Sequence, residues 1–517
     1  MKHLRDFGLA LLSGLLAALA FPKFNLSFLA WIALIPLLHV VSKSRPGRAF
    51  ALSLSAGLSF YGLLLYWIPN VPAHYGGLSL EVSLGATFGL VLLLALFWGL
   101  FGLVLSRISS LWPAAGFILA PFIWTAQEYA LTHVLTGFPW GLLGYSQSSN
   151  LWLIQAAAVT GVYGVSAVLV FFQGAFVYSF SKKQRTPFFI GLGVLAAFHI
   201  GGALSLGSAE PGPGAFRAAV IQGNVSSDFF HGQVPASEIR EQFEHHMNLT
   251  RKAAEEGAEL IVWPEFSVPL CFSCEDPLSR EWKRRLLSYV RSSGRTLLVG
   301  TVETARLGER IDHWNAALAL RPDQTWTEYH KMHLVPFGEY TPYPDVFGFV
   351  ERMTQAVGTF TPGAAPVLHG FRDLRFGSPI CYEIIFPNLV RQFVRNGAHF
   401  LATVTNDGWY GETSAPHQHF GIAVFRAVEN RRFLLRAAST GVSGIVDPWG
   451  RVLTKSEIMT AAALTGVVTP SSRRTFYSRF GDVFALFGLT MTLGFFILSA
   501  FLGRHERQGK KSRQRIY

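Results

Sequence analysis

Charge is spread so unevenly along this 517-residue chain that no single water-soluble domain accommodates it. Only 13 of its 76 Asp, Glu, Lys and Arg residues lie in the first 206 positions, and the last 311 hold the other 63. Long apolar stretches nearly free of charge read as membrane spans, because an ionised side chain is costly in hydrocarbon. Seven runs long enough to cross a ~30 Å core fall near 7–21, 26–42, 50–68, 82–106, 113–133, 152–180 and 187–206, and an eighth falls near 483–503. The first run, ending in Ala18-Leu19-Ala20, also fits a signal peptide. A second span follows within a few residues, as in a helical hairpin, so retention is the expectation. Disorder, a collagen-like repeat and a wholly soluble enzyme are excluded.

The connecting segments orient the spans. With a cytoplasmic N-terminus, the inside segments carry 15 Lys and Arg, six of them after Gly503, whereas the short outside loops carry Lys23 alone. That excess predicts two cytoplasmic termini and delivers the polar residues 207–480 to the outer side of the membrane. The basic tail then reads as a topology anchor, and no nucleic-acid partner is expected. The expected division is a seven-helix membrane domain at 1–206, a Gly- and Pro-rich linker at 207–215, an extracytoplasmic domain at 216–476, an eighth helix at 477–503 and a cytoplasmic tail at 504–517. Two outside loops, Tyr66 to Tyr75 and Gly137 to Tyr145, are rich in aromatic residues. They read either as interfacial anchors or as a lipid-facing floor to the outer domain.

Beyond residue 214 the pattern changes to short apolar runs at 218–221, 260–263, 297–300, 316–320, 374–380 and 400–405, which alternate with helical patterns at 238–256, 282–290, 388–396 and 418–433. Such alternation indicates an α/β layered domain. Glu265 directly follows one apolar run, Lys331 sits in Tyr329-His330-Lys331-Met332-His333, and Cys381 ends another run. Strand ends are where α/β domains place reactive groups. A thiol needs a base to become a nucleophile, and a cation can hold the oxyanion formed during acyl transfer. Spacing alone leaves open a buried Cys with two surface charges.

The surrounding words narrow the choice. Glu265 lies in Trp-Pro-Glu, Lys331 precedes Leu334-Val335-Pro336-Phe337-Gly338-Glu339, and Cys381 lies in Ile-Cys-Tyr-Glu. Asn406-Asp407-Gly408-Trp409-Tyr410-Gly411 follows, and Gly137-Phe138-Pro139-Trp140, Gln222-Gly223-Asn224 and Pro416 to Phe420 complete the set. This order resembles the nitrilase (carbon-nitrogen hydrolase) superfamily, and with the membrane spans it resembles the apolipoprotein N-acyltransferase family over nearly the whole chain.

The resemblance implies an αββα sandwich with Cys381 as nucleophile, Glu265 as general base and Lys331 as oxyanion stabiliser. It implies acyl transfer from a phospholipid, usually phosphatidylethanolamine, through a Cys381 thioester to the α-amino group of a diacylglyceryl-cysteine apolipoprotein. No metal or redox cofactor is required, and a monomer in the bacterial inner membrane, its catalytic domain periplasmic, is expected. Glu339 reads as an assistant to Lys331 and Glu265 or as an ordinary ion-paired residue. Glu383 reads as an electrostatic tuner or as half of a structural pair. Tyr382 and Trp409 line the acyl pocket or pack in the core, and Asn315 supports the triad or is a satisfied buried amide. His330, His333, His417 and His419 lack a companion acidic cluster, so no metal site is expected.

The chain departs from the family words after Asn224. The aromatic residue of a mobile arm near the substrate entrance is left unassigned between Phe229 and Phe230. Cys271 and Cys274 form a C-x-x-C outside the family pattern, to be read as a local disulfide or a reduced pair. The competing activity is a membrane-tethered amidase or nitrilase cleaving a carbon-nitrogen bond. A transporter is disfavoured, because the first seven spans carry few ionisable groups, chiefly Glu128, His133 and His199.

Overall fold

The computed structural model describes residues 2–207, 210–225, 235–307, 310–342, 345 and 359–514. Phe229 and Phe230 lie outside the described residues. The chain divides into two compact units: Met1–Tyr66, Ala86–Ser205 and Asp482–Tyr517 form one, and Trp67–Gly85 with Leu206–Gly481 forms the other.

The first unit is apolar and α-helical. Helices Leu80–Leu111, Val162–Lys182, Thr186–Ser205 and Val483–Leu502 are each long and apolar enough to cross a bilayer. Helices Lys2–Leu19, Pro46–Leu64 and Pro113–His133 occupy three more of the expected runs. Two runs differ from a single continuous span. The run at 26–42 folds as a 3-10 turn, Ser27–Trp31, and a short helix, Ile35–Val41, with Pro36 in its first turn. Backbone groups freed in an apolar interior need partners. Gln173 supplies them, accepting from the Leu34 amide at 2.6 Å and donating to the Ala30 carbonyl at 3.1 Å. The run at 152–180 breaks at Gly161, whose φ of +66° ends two short turns, and the long helix begins only at Val162. In the 137–145 loop, Trp140 and Tyr145 are buried, and Glu128 accepts the Leu143 amide at 2.7 Å. Those aromatics serve this unit's interior rather than an exposed anchor.

The second unit contains two β-sheets. The first comprises β1 (Phe216–Gln222), β2 (Leu260–Val262), β3 (Val268–Cys271), β4 (Thr296–Leu307), β5 (Arg310–Leu320), β6 (Trp326–His330) and β13 (Ala462–Val468), in the order β13-β1-β2-β4-β5-β6 with β3 paired to β4. The second comprises β7 (Leu368–Phe371), β8 (Leu374–Gly377), β9 (Phe400–Thr405), β10 (Leu434–Ala438), β11 (Gly444–Val446) and β12 (Val452–Lys455), in the order β12-β11-β10-β9-β8-β7. β1, β2 and β4 run parallel, as do β8, β9 and β10. Parallel strands are covered on both faces, which is why Leu260-Ile261-Val262 and Leu434-Leu435 read as unbroken apolar runs.

Helices Ala236–Glu255 and Pro277–Ser293 cover the first sheet, burying Phe243, Met247, Trp282 and Leu286 against Ile261 and Val299. Helices Pro387–Arg395 and Ala415–Asn430 lie on the second sheet. The inner faces meet where Phe216 packs on Phe371 and Phe400, with ring centroids 4.6 and 5.2 Å apart. The result is the expected four-layer sandwich. Cys271 and Cys274 are disulfide-bonded, and Glu303 accepts the Phe272 and Ser273 amides at 2.9 and 3.2 Å within their loop.

Candidate active site

The site lies where β2, β6, β8 and β9 end, so Glu265, Lys331 and Cys381 are each presented just past a strand, while Asn315 reaches it from within β5. Glu265 follows β2 by three residues. Gly300 on β4 lies directly against that turn, and a Cβ at position 300 would stand 2.5 Å from the Glu265 Cα. Glycine therefore permits the approach of the base to β4. Asn315, on β5, donates from Nδ2 to Glu265 Oε1 at 2.7 Å and to Glu339 Oε1 at 2.8 Å. Lys331, one residue past β6, places Nζ 3.3 Å from Glu265 Oε1 and 2.9 Å from Glu339 Oε1. The second oxygen of Glu339 accepts the Val335 amide at 2.7 Å. Lys331 and Glu265 are 1% and 3% exposed, so one ammonium and two carboxylates share a dry pocket.

Cys381 enters from the second sheet. The strand leading to it continues past β8 through an isolated bridge between Ile380 and Val404, and then turns sharply, with Cys381 at φ +49° opening the 3-10 turn Cys381–Ile385. A non-glycine residue in the left-handed region is strained, and such strain is held only where surrounding contacts fix it. The Cys381 thiol lies near enough to Glu265 and Lys331 for both charges to act on it. It also lies 3.9 Å from the Asn406 carbonyl. The Asn406 amide donates to Glu265 Oε2 at 2.8 Å, so the base is gripped by both sheets.

The electrostatics follow from burial and charge. Burial alone would depress the Lys331 ammonium, but Glu265 and Glu339 outweigh it and hold Lys331 charged, above its ordinary value. Burial raises the Glu265 carboxyl despite the opposing pull of Lys331, which makes it a better proton acceptor than a solvated carboxylate. Burial, and after it the Glu265 charge, push the Cys381 thiol well above the usual thiol range. The Cys381 side chain therefore rests as a thiol rather than a preformed thiolate.

The remaining expected residues sort clearly. Asn315 and Glu339 join the triad directly. Among the described residues Glu383 forms no ion pair: it accepts the Tyr329 hydroxyl and the Ile380 and Met332 amides, each at 2.7 Å, and the His333 amide at 3.1 Å. Burial pushes its carboxyl up to about 7. The Tyr382 ring packs 5.2 Å from Phe386 and 5.7 Å from His333. Trp409 meets Tyr75 at 4.9 Å, Tyr410 meets Trp67 at 4.8 Å, and the Tyr75 hydroxyl donates to the Gly408 carbonyl at 3.2 Å. The segment Trp67–Gly85 thus packs on the turn that follows β9.

Sequence reasoning missed a second buried cluster, Asp407, His419 and Arg436. His419 Nδ1 is 2.8 Å from Asp407 Oδ1, and Arg436 Nη2 is 2.8 Å from Asp407 Oδ2. Asp407 and His419 stand in words that carried the family resemblance, yet nothing in those words marks a charge as buried.

A two-sheet sandwich with Glu, Lys and Cys at its strand ends defines the carbon-nitrogen hydrolase class, and residues 217–472 match the family model described as carbon-nitrogen hydrolase. Residues 13–175 match a second model, the apolipoprotein N-acyltransferase N-terminal domain. The apolipoprotein N-acyltransferase of Geobacter metallireducens is 37% identical over 93% of this chain and 92% of its own length. Those of Chlorobaculum tepidum and Caulobacter vibrioides are 32% and 30% identical, over 93% and 98% of this chain and 93% and 95% of their own. The chain belongs to the apolipoprotein N-acyltransferase family. Among solved structures, an amidase from Nesterenkonia sp. is 22% identical over 52% of this chain and 92% of its own, with a TM-score of 0.37.

Proposed function

We propose that this enzyme moves an acyl chain from a phospholipid, through a thioester on Cys381, to the α-amino group of the diacylglyceryl-cysteine that begins an apolipoprotein. The observation that carries this reading is the buried cluster in which Asn406 bonds both the Glu265 carboxylate and the Cys381 thiol while Lys331 pairs with Glu265, in a chain related over nearly its whole length to N-acyltransferases. In the first half-reaction Glu265 takes the thiol proton as sulfur attacks the ester carbonyl. Lys331 stabilises the tetrahedral oxyanion, and the proton passes to the departing lysophospholipid oxygen. In the second, the amine attacks the thioester, Glu265 takes a proton from it, and Cys381 leaves and is reprotonated. Because the acceptor arrives as an ammonium, one proton is released to solvent per turnover.

Phosphatidylethanolamine is the proposed donor and a monomer the working form. The proposed setting is the bacterial inner membrane, crossed by eight spans, with both termini cytoplasmic and the 216–476 domain periplasmic. The excess of Lys and Arg in the inside segments supports that orientation. Both substrates are lipids of the outer leaflet, so a site on that side receives them without extraction into water. Excluding water protects the thioester from hydrolysis, and Cys381 is only 4% exposed.

Intact-protein mass spectrometry of the detergent-purified chain incubated with phosphatidylethanolamine tests the reading. An acyl increment on Cys381, removed by hydroxylamine or by a lipopeptide amine and accompanied by lysophospholipid, is the expected result. A folded protein with free Cys381 and no lysophospholipid would overturn it in favour of a tethered amidase.

A further inference from the structure

Cys381 is held at φ +49°, and Glu265 and Lys331 do not touch the backbone that sets this angle. The group that does is His419, from helix Ala415–Asn430, whose Nε2 lies 3.2 Å from the Cys381 carbonyl. A carbonyl only accepts, so Nε2 carries a proton and donates it. With its proton on Nε2, the neutral ring turns the Nδ1 lone pair to Arg436 Nη2 at 3.0 Å, and Asp407 Oδ1 lies 2.8 Å from the same nitrogen. Arg436 in turn donates to Asp407 Oδ2 at 2.8 Å and to the Val442 carbonyl at 3.2 Å. His419, Asp407 and Arg436 are all 0% exposed. Gly441 lies where a Cβ would strike the Asp407 side chain, so the aspartate is confined from that side as well.

Burying a charged pair with an imidazole is costly unless every partner is in place. The cluster reaches the site through the bond to the Cys381 carbonyl, and Asp407 directly follows Asn406, whose amide donates to Glu265. The peptide plane that receives this bond joins Cys381 to Tyr382. The strand before Cys381 is held by the Ile380–Val404 bridge, so fixing the Cys381 carbonyl also fixes φ, the rotation that carries its Cβ and sulfur.

We infer that His419 is a positioning residue for the acyl-transfer reaction: braced by Arg436 and Asp407, it fixes the backbone of Cys381 and so holds the thiol beside Glu265. The inference rests on the acyl-transfer reading above. Its consequence is kinetic. A reacting atom misplaced by about 1 Å costs on the order of 100-fold in rate, without altering lipid binding remote from the turn.

Two substitutions separate this bond from the rest of the cluster. The amide nitrogen of H419Q reaches about as far as Nε2, and that of H419N about as far as Nδ1. H419Q therefore keeps the Cys381 partner, and H419N keeps only the Asp407 side. The readout is the single-turnover rate of acyl-enzyme formation on Cys381, measured by mass spectrometry across a range of phosphatidylethanolamine concentrations in the full-length detergent-purified chain. The expected result is H419N about 100-fold slower than wild type and H419Q within about tenfold of it, with the half-saturating lipid concentration unchanged in both.

Equal rates for the two variants, a loss confined to the half-saturating concentration, or H419N within a factor of about three of wild type would overturn the inference. Failure of both variants to fold would also overturn it, since His419 would then serve the fold rather than the geometry. Wild type that forms no acyl-enzyme in the same assay would sink the acyl-transfer reading instead.

Discussion

The carboxylate of Glu383 accepts the Met332 amide at 2.7 Å, which ties the turn carrying the nucleophile to the turn carrying the lysine. The same side chain accepts the Ile380 amide, so one residue sets the spacing between two sheets at the reaction centre. All four groups it contacts are donors, and a carboxylate matches them because it only accepts. Glu383→Gln turns an NH2 group towards those donors and strands at least one of them. The expected cost is about 1–3 kcal/mol of stability, read in a denaturant melt, together with slower acyl-enzyme formation. An unchanged melt would show that the clamp is dispensable.

Lys331 is wedged between Glu265 and Glu339, and removing it does more than delete an oxyanion donor. Lys331→Met leaves two buried carboxylates facing each other across Asn315, and breaking a buried pair in this way costs on the order of 3–5 kcal/mol. The penalty has a pH signature. With the ammonium gone, the Glu265 carboxyl, already raised by burial, loses the pull that opposed the rise, so the native state holds more protons than the unfolded chain and stability falls as pH rises. The variant's melting temperature should therefore climb on acidification relative to wild type. A deficit independent of pH would contradict the arrangement.

His246 is buried against Trp263, with ring centroids 5.0 Å apart, and burial lowers its pKa from 6.5 to about 4. Below pH 6.5 the unfolded imidazole binds a proton that the native one refuses, so this residue destabilises the fold progressively as pH falls from 6.5 to about 4. The full effect is about 3 kcal/mol. His246→Gln should flatten the stability profile across that window, as followed by tryptophan emission during unfolding. A profile as steep as wild type would assign the acid sensitivity elsewhere.

Tyr75 anchors the segment Trp67–Gly85 to Gly408 through its hydroxyl. Tyr75→Phe keeps the ring packing on Trp409 and deletes that bond, worth about 1 kcal/mol, so amides of 67–85 should exchange about fivefold faster. Exchange unchanged in that segment would mean that ring packing alone holds it.

Much of this molecule is legible in its sequence because the governing signals are local. Phe400–Thr405 reads as a strand because it is a short apolar run between turn residues, and the structure returns the same boundaries. Glu265 and Cys381 are visible because each ends such a run, and Lys331 through the words that follow it. Broken helices are harder to foresee: hydropathy at 26–42 measures apolarity, not continuity, and the partner that tolerates the break, Gln173, lies 139 residues from Leu34. The role of Glu383 was equally hidden. An acidic residue beside a cysteine suggests electrostatics, whereas its contacts are the Tyr329 hydroxyl and the backbone amides of Ile380, Met332 and His333. His419 and Arg436 escape for the same reason, since helix Ala415–Asn430 and β10 meet Asp407 only in the folded chain.

The left-handed backbone at Cys381 bears on how an inactive form of this enzyme ought to be made. The usual replacements, alanine and serine, inherit a conformation disfavoured for any residue with a Cβ while lacking the sulfur that gives the strain its purpose. Glycine adopts that φ without penalty. Cys381→Gly is the substitution that removes the chemistry and relaxes the turn together. A donor lipid or lipopeptide captured on such a protein would meet a pocket slightly different from the working one, whereas the alanine form preserves the tension and gives the more faithful picture of the occupied site.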